Sequence, residues 1–241
     1  MKLLLIITLF ISSLFGWVAE ITALIGNANI TRDNNQTIPA TLHMKLDKKD
    51  VIKTDKDTKM QLIFKDNTVI TVGKNSVLKI SDYLFDGTNS KADFKLQHGI
   101  MKTLTGKIGK LAPRRFKVLT KNASIGIRGT YFVVESYDDI IKVGMIMGST
   151  DFTNLDNMKQ VVITKGEQLV FNEKQPENIK IEKNFLEPKE TKLTPPAKVE
   201  KVEETTQTIQ NEAEQFIKNV TNSNSDKSTH VFTGFIKGLF K

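Results

Sequence analysis

The 241-residue chain contains no cysteine. That single absence excludes disulfides, thiol nucleophiles and thiolate metal sites. Histidine is nearly as scarce. His43, His98 and His230 lie in three separate segments, with no neighbouring histidine or carboxylate at a zinc-ligand spacing. The pairs Asp47/Asp50 and Asp55/Asp57 lack the oxygen-dense loop that calcium demands, so they read as solvated turns. No base is placed to activate a serine or threonine. The expectation is therefore no enzyme activity, no metal and no cofactor.

Long apolar runs are missing too, with one exception. Residues 3–15 follow a short basic start and are interrupted only by Thr8, Ser12 and Ser13. That length suits the apolar core of an export signal and falls short of the roughly 20 residues of a membrane span. Gly16 and Ala19 are the small residues at which cleavage is expected, with Leu14 and Trp17 two positions before them. The reading takes residues 1–19 as a signal peptide and the chain as periplasmic or secreted. An uncleaved inner-membrane anchor is the alternative. No cysteine follows the run, which excludes lipidation there.

What remains is ordinary in composition, 39% hydrophobic and 26% charged, and long enough to bury a core. Its charge is uneven. Residues 187–241 carry eight lysines and eight acidic residues, whereas residues 20–186 carry 26 Lys and Arg against 19 Asp and Glu. Such an excess attracts anionic headgroups, acidic glycans or nucleic acid, and an export signal argues against nucleic acid. The densest basic stretch runs from Lys102 through Pro113 to Arg114 and Arg115, which makes those two arginines candidates for binding an anionic partner.

From residue 20 to 186 the pattern is one of short strands. Alternation is clean in Val69-Ile-Thr-Val72 and Asp93-Phe-Lys-Leu96, and β-branched or aromatic runs recur. Strands are expected at residues 21–25, 28–31, 50–53, 59–64, 69–72, 77–80, 92–96, 100–102, 115–120, 131–135, 140–145, 150–153, 160–164 and 168–171. Gly and Asn/Asp pairs separate most of them. No long amphipathic helix competes. The fold class expected is all-β: a sandwich, a roll or a β-solenoid-like domain.

One segment is more specific. Residues 116–134 read as a strand, a turn and a second strand, with Ile125-Gly-Ile-Arg-Gly-Thr130 between, where two glycines are expected to adopt backbone conformations that a Cβ obstructs. Thr120, Ala123, Ile127, Arg128, Gly129, Thr130 and Phe132 fall in order on the signature of FecR-type periplasmic domains, with Lys121 in place of its proline. The resemblance extends along residues 20–186. Residues 21–32 look like the family's first hairpin. Leu46-Asp-Lys-Lys-Asp-Val-Ile-Lys-Thr54 resembles its Leu-x-x-Gly-Asp-x-Ile-x-Thr element, and Met60 to Val72 resembles its strand, Asp-Gly-Ser/Thr turn and strand. Lys49 and Asn67 stand where that pattern has glycine, and both turns are expected to survive the change. Thr120, Ala123, Gly126, Arg128, Gly129, Thr130 and Phe132 are read as structural motif residues. For Arg128 a bridge between strands through backbone carbonyls or stacking on an aromatic ring is expected, with ligand contact as the lesser role.

Beyond this body, residues 187–204 with Pro188, Pro195 and Pro196 read as an extended flexible linker, and residues 205–241 as short amphipathic helices. In the last helix Val231, Phe232, Phe235, Ile236, Leu239 and Phe240 fall on one half of the wheel and Thr233, Gly234, Lys237, Gly238 and Lys241 on the other. Phe232, Phe235 and Phe240 are thus candidates for contact with a membrane surface or a partner groove.

The FecR resemblance implies binding rather than catalysis. In that family's sigma regulators the periplasmic domain follows a cytoplasmic anti-sigma segment and a membrane span. Here only Met1 and Lys2 precede the apolar run, so direct sigma-factor control is not expected. The leading expectation is an exported, non-enzymatic module that binds an envelope protein or membrane surface. The alternatives are a sensor component of iron-uptake or envelope-stress signalling with a separate membrane partner, and a basic glycan- or surface-binding protein. Oligomeric state stays open.

Overall fold

A computed structural model describes residues 16–188 and Thr191. Among them are fifteen strands: β1 (Ala19–Ile25), β2 (Ala28–Thr31), β3 (Thr37–Pro39), β4 (Lys45–Leu46), β5 (Val51–Thr54), β6 (Lys59–Phe64), β7 (Val69–Val72), β8 (Val77–Leu84), β9 (Lys91–Leu104), β10 (Phe116–Leu119), β11 (Ala123–Tyr137), β12 (Ile140–Asn154), β13 (Gln160–Thr164), β14 (Glu167–Asn172) and β15 (Ile179–Lys183). A five-residue helix α1 (Lys107–Leu111) and a 3-10 turn (Pro113–Arg115) lie between β9 and β10. The all-β expectation holds. Residues 1–15 of the leader, most of the linker and the amphipathic tail, with Phe232, Phe235 and Phe240, lie outside the described residues.

All fifteen strands belong to one open sheet that folds over on itself. Three long strands make the fold. The first half of β9 pairs with β8 and β10, and its second half with β7 and β11. β11 and β12 are likewise shared, pairing with β10 and β13 at one end and with β9 and β14 at the other. One layer therefore runs β3-β2-β5-β8-β9-β10-β11-β12-β13, and the second β4-β1-β6-β7-β9-β11-β12-β14-β15. Only β9–β10 is parallel. A solenoid stacks parallel strands, so the arrangement is a folded-over antiparallel sheet.

Glycines sit at the corners. β9 changes layer at Gly99, β11 at Gly129 within a bulge between Arg128 and Tyr131, and β12 at Gly148. Gly148 has φ +83, and a Cβ there would lie 2.8 Å from the Gly129 carbonyl oxygen, so no other residue fits without moving backbone. These corners correct the expected boundaries. Residues 92–96 and 100–102 are one strand, as are 140–145 and 150–153, because the intervening glycines bend a strand that continues. The same holds for the motif. The turn after β10 is at Thr120, and Ile125 to Thr130 lies inside β11. Gly126 is plain strand, and a Cβ there would have its nearest neighbour at 3.7 Å, so only Gly129 of the pair needs its special conformation.

The inner faces of the two layers meet in one core. Phe64 of β6 packs on Tyr83 of β8 and edge-on against Phe94 of β9, which continues to Phe116 of β10. Phe152 and Phe171 make the corresponding contact between β12 and β14. Such ring pairs add about 0.5–1.5 kcal/mol each beyond the area they bury. Ile108 of α1 is fully buried in the same cluster. At the N-terminal edge Val18 and Ala19 are core residues, the Val18 amide donates to the Leu46 carbonyl at 2.8 Å, and the Trp17 ring lies beneath the ammonium groups of Lys45 and Lys65. Trp17, Val18 and Ala19, read from sequence as leader, are thus part of the domain. At the other end the Phe185 ring lies on Gly144 and Glu187 pairs with Lys102 at 2.7 Å, so residues 185–187 cross the outer face of the second layer.

Candidate functional site

The residues that carry the sequence signature are spent on holding turns. The Thr120 hydroxyl accepts from the Ala123 amide at 3.1 Å, closing the β10–β11 turn. Ala123 and Phe132 are fully buried. Thr130 pairs backbone to backbone with Thr105, whose hydroxyl accepts from the Thr130 amide at 2.9 Å. The Thr130 hydroxyl itself is buried with no hydrogen-bond partner among the described residues. Thr54 donates its hydroxyl to the Gly73 carbonyl at 2.6 Å and accepts from the Ser76 amide at 2.9 Å.

Two aspartates of the resemblance are buried anchors. The Asp66 carboxylate accepts from the Thr68 amide and hydroxyl, the Tyr83 hydroxyl at 3.0 Å and the Ile108 amide at 3.1 Å. It ties the β6–β7 turn to β8 and to α1. Burial, then the adjacent Asp66 carboxylate, push the Tyr83 phenol well above its ordinary value. Asp50, 1% exposed, accepts from the Asp47 amide at 2.8 Å and pairs with Arg32. Burial nonetheless holds its carboxyl above the usual range, with the Asp47 amide and Arg32 acting against it. Lys49 and Asn67 adopt φ +76 and +65, so both turns keep the left-handed geometry despite losing glycine.

Arg128 is exposed. It bridges β11 and β12, but through a carboxylate: its Nε and a terminal nitrogen lie 3.0 and 2.9 Å from one oxygen of Asp151. Gly126 stands directly opposite Asp151, which leaves that diagonal open. An exposed pair of this kind contributes about 0–1 kcal/mol. Arg114 and Arg115 are exposed on the 3-10 turn. The β10–β11 register, with Lys117 opposite Gly126, carries Arg115 to the level of Arg128, so the arginines nominated separately share one end of the molecule.

No reactive set forms among the described residues. His43 bonds the Glu20 carboxylate at 2.8 Å at the surface, and His98 packs edge-on against Tyr137. No group of three His, Asp or Glu is placed to hold a metal ion among them. A depression of about 580 Å³ is lined by Lys53, Asp55, Lys56, Asp57, Ser76 and His98. Its one serine is occupied at the β9 corner, its hydroxyl accepting from the Ile100 amide and donating to the Lys74 carbonyl. No described helix is long and apolar enough to cross a membrane.

A surface feature emerges from the pairing instead. Ile63, Val69, Leu104, Tyr131 and Met147 stand opposite one another on β6, β7, β9, β11 and β12, forming one apolar row on the outer face of the second layer. Leu104 and Met147 are 42% and 51% exposed. The neighbouring row, with Lys102 and Gly144, lies under Glu187 and Phe185. Each strand supplies one member of the apolar row, so no local stretch of sequence displays it.

Residues 50–151 match the family model described as FecR protein. Two crystal structures of a candidate anti-sigma factor from Parabacteroides distasonis ATCC 8503 are similar over 56% of this chain, at 18% and 17% identity with TM-scores of 0.47 and 0.46. The match spans 59% of those chains. No curated protein matches the sequence.

Proposed function

From the premise that this chain carries a FecR domain over residues 50–151, we propose that it is an exported, non-enzymatic module of the cell envelope that works by contact with a partner protein, as part of a regulatory or sensing assembly. The observation that carries this reading is the apolar row on the second layer. Leu104, Tyr131 and Met147 lie side by side on a rigid sheet, where apolar groups in contact with water gain from burial against another protein. The non-enzymatic part of the reading is supported by the fate of the signature side chains: Thr120 closes its turn, Ala123 and Phe132 are buried in the core, and Arg128 pairs with Asp151. Arg114, Arg115 and Arg128 form a polar margin at the α1 end. The export reading favours signal cleavage at or before Gly16, because a cut after Ala19 would strip two residues from the core.

The test is crosslinked capture from intact cells. Wild-type protein is compared with a Leu104→Ser/Met147→Ser variant and an Arg114→Glu/Arg115→Glu variant, each checked for unchanged melting. The proposal expects the first variant to lose a discrete protein partner and the second to retain it. Capture of the same partner by the serine variant overturns the assignment of that face.

A further inference from the structure

The outer face of the first layer differs from that of the second. Lys53 on β5, Lys79 on β8, Lys95 on β9 and Lys117 on β10 point outward from four adjacent strands. Lys79 stands directly opposite Lys95. Like charges so placed repel, and a sheet normally sets opposite charges there. The carboxylates of the face are already engaged. Asp82 pairs with Lys48 and Lys91, Asp151 with Arg128, and Asp93 stands opposite Lys117. Lys53, Lys79 and Lys95 are left with no ion-pair partner among the described residues.

The lysines run on a diagonal: Lys79 is level with Lys95, whereas Lys53 stands opposite Val77 and Lys117 opposite Asp93, each two residues along the strands from that pair and in opposite directions. Neighbouring strands lie about 4.8 Å apart and each residue rises about 3.3 Å, so the four lysines span about 14 Å across the strands and about 13 Å along them. A linear polyanion lying along that diagonal passes all four ammonium groups in turn. Gln97 and Ser124 also point outward on this face and suit sugar hydroxyls. No aromatic side chain points outward from these strands to stack a nucleobase. The outward aliphatic residues among the lysines, Val51, Val77 and Leu119, are half-buried, each opposite a lysine. The exposed Leu84 and Phe85 lie five and six residues beyond Lys79 at the far end of β8, so no apolar group projects from the row itself to enter a bilayer.

We propose that the lysine row Lys53–Lys79–Lys95–Lys117 binds a linear acidic polysaccharide laid diagonally over the strands of the first layer. This site is separate from the protein-contact face and from the Arg114-Arg115 turn, so its failure leaves the preceding reading standing.

The experiment titrates the protein, as recovered from the cell, with polygalacturonate at low and at physiological salt, using its fully methyl-esterified form as the neutral counterpart. Binding to the acid form is expected, weakening as salt rises, with no binding to the ester. Lys79→Glu/Lys95→Glu is expected to weaken binding about tenfold or more, as is the milder Lys79→Gln/Lys95→Gln, which guards against a folding defect. Arg114→Glu/Arg115→Glu is expected to bind as wild type. Undiminished binding by both lysine variants overturns the proposal, and so does equal binding of the ester. Preferential capture of anionic lipid vesicles or single-stranded DNA through the same lysines also overturns it, by assigning the row another occupant.

Discussion

The two layers of the sheet resemble each other on their inner faces and part company on their outer ones. Inside, both contribute buried phenylalanines and aliphatic residues to one core. Outside, the first layer presents lysines on successive strands, and the second presents Leu104, Tyr131 and Met147 beside a crossing strap of residues 185–187. The chain shares β9, β11 and β12 between the layers, so the layers cannot fold independently. Their outer faces can still differ freely, because alternation along each strand separates inward from outward residues. The fold is thus common property and the recognition chemistry is local to each face.

That division is open to attack, first through what the layers share. Asp66→Ala removes the acceptor for the Thr68 amide and hydroxyl, the Tyr83 hydroxyl and the Ile108 amide, and should cost about 4 kcal/mol at about 1 kcal/mol per orphaned donor. Urea titration should show one cooperative transition at lower midpoint; a surviving second transition from one layer would break the picture of a single unit. Gly148→Ala forces a side chain into left-handed geometry and onto the Gly129 carbonyl, with an expected loss of about 3 kcal/mol by the same measurement. A near-neutral result would mean that β12 does not turn its corner there.

Smaller effects sharpen the contrast. Tyr83 has its phenol raised, chiefly by burial and then by Asp66. A raised value favours the neutral form in the folded state, so its contribution is complete below pH of about 10 and declines as the unfolded chain ionises above that. Tyr83→Phe should therefore cost about 1 kcal/mol at neutral pH and melt with a shallower decline above pH of about 10 than wild type. Parallel declines would contradict the Tyr83–Asp66 geometry. Lys49→Gly should stabilise by about 1 kcal/mol, since it relieves φ +76 and gives up only an exposed pair with Asp33. Thermal melting reads this, and a loss would mean that the ion pair outweighs the strain.

Much of the fold is legible in the sequence because alternation is a local signal. The strands at residues 28–31, 59–64, 69–72 and 160–164 lie where the pattern puts them. Three strands give no such signal. β3 and β4 have three and two residues, too few to show a period, and β15 reads Ile-Lys-Ile-Glu-Lys with charges on an edge. The five-residue α1 is equally short for a helical period. Glycines mislead in a consistent way. At Gly99 and Gly148 they bend a continuing strand, whereas sequence alone treats such residues as ends. The family signature is legible, but its meaning is in the pins it forms, such as Thr120 with Ala123. Neither outer row is legible, because its members come from separate strands and meet only through the registers of β5 to β12.

The difference between the two faces is tested most directly by placing a photo-crosslinking amino acid at Met147 or at Lys95 and irradiating living cells. The account predicts a discrete protein adduct from position 147 and none from position 95. A protein adduct at 95, or no adduct at 147 in a folded protein, would contradict it.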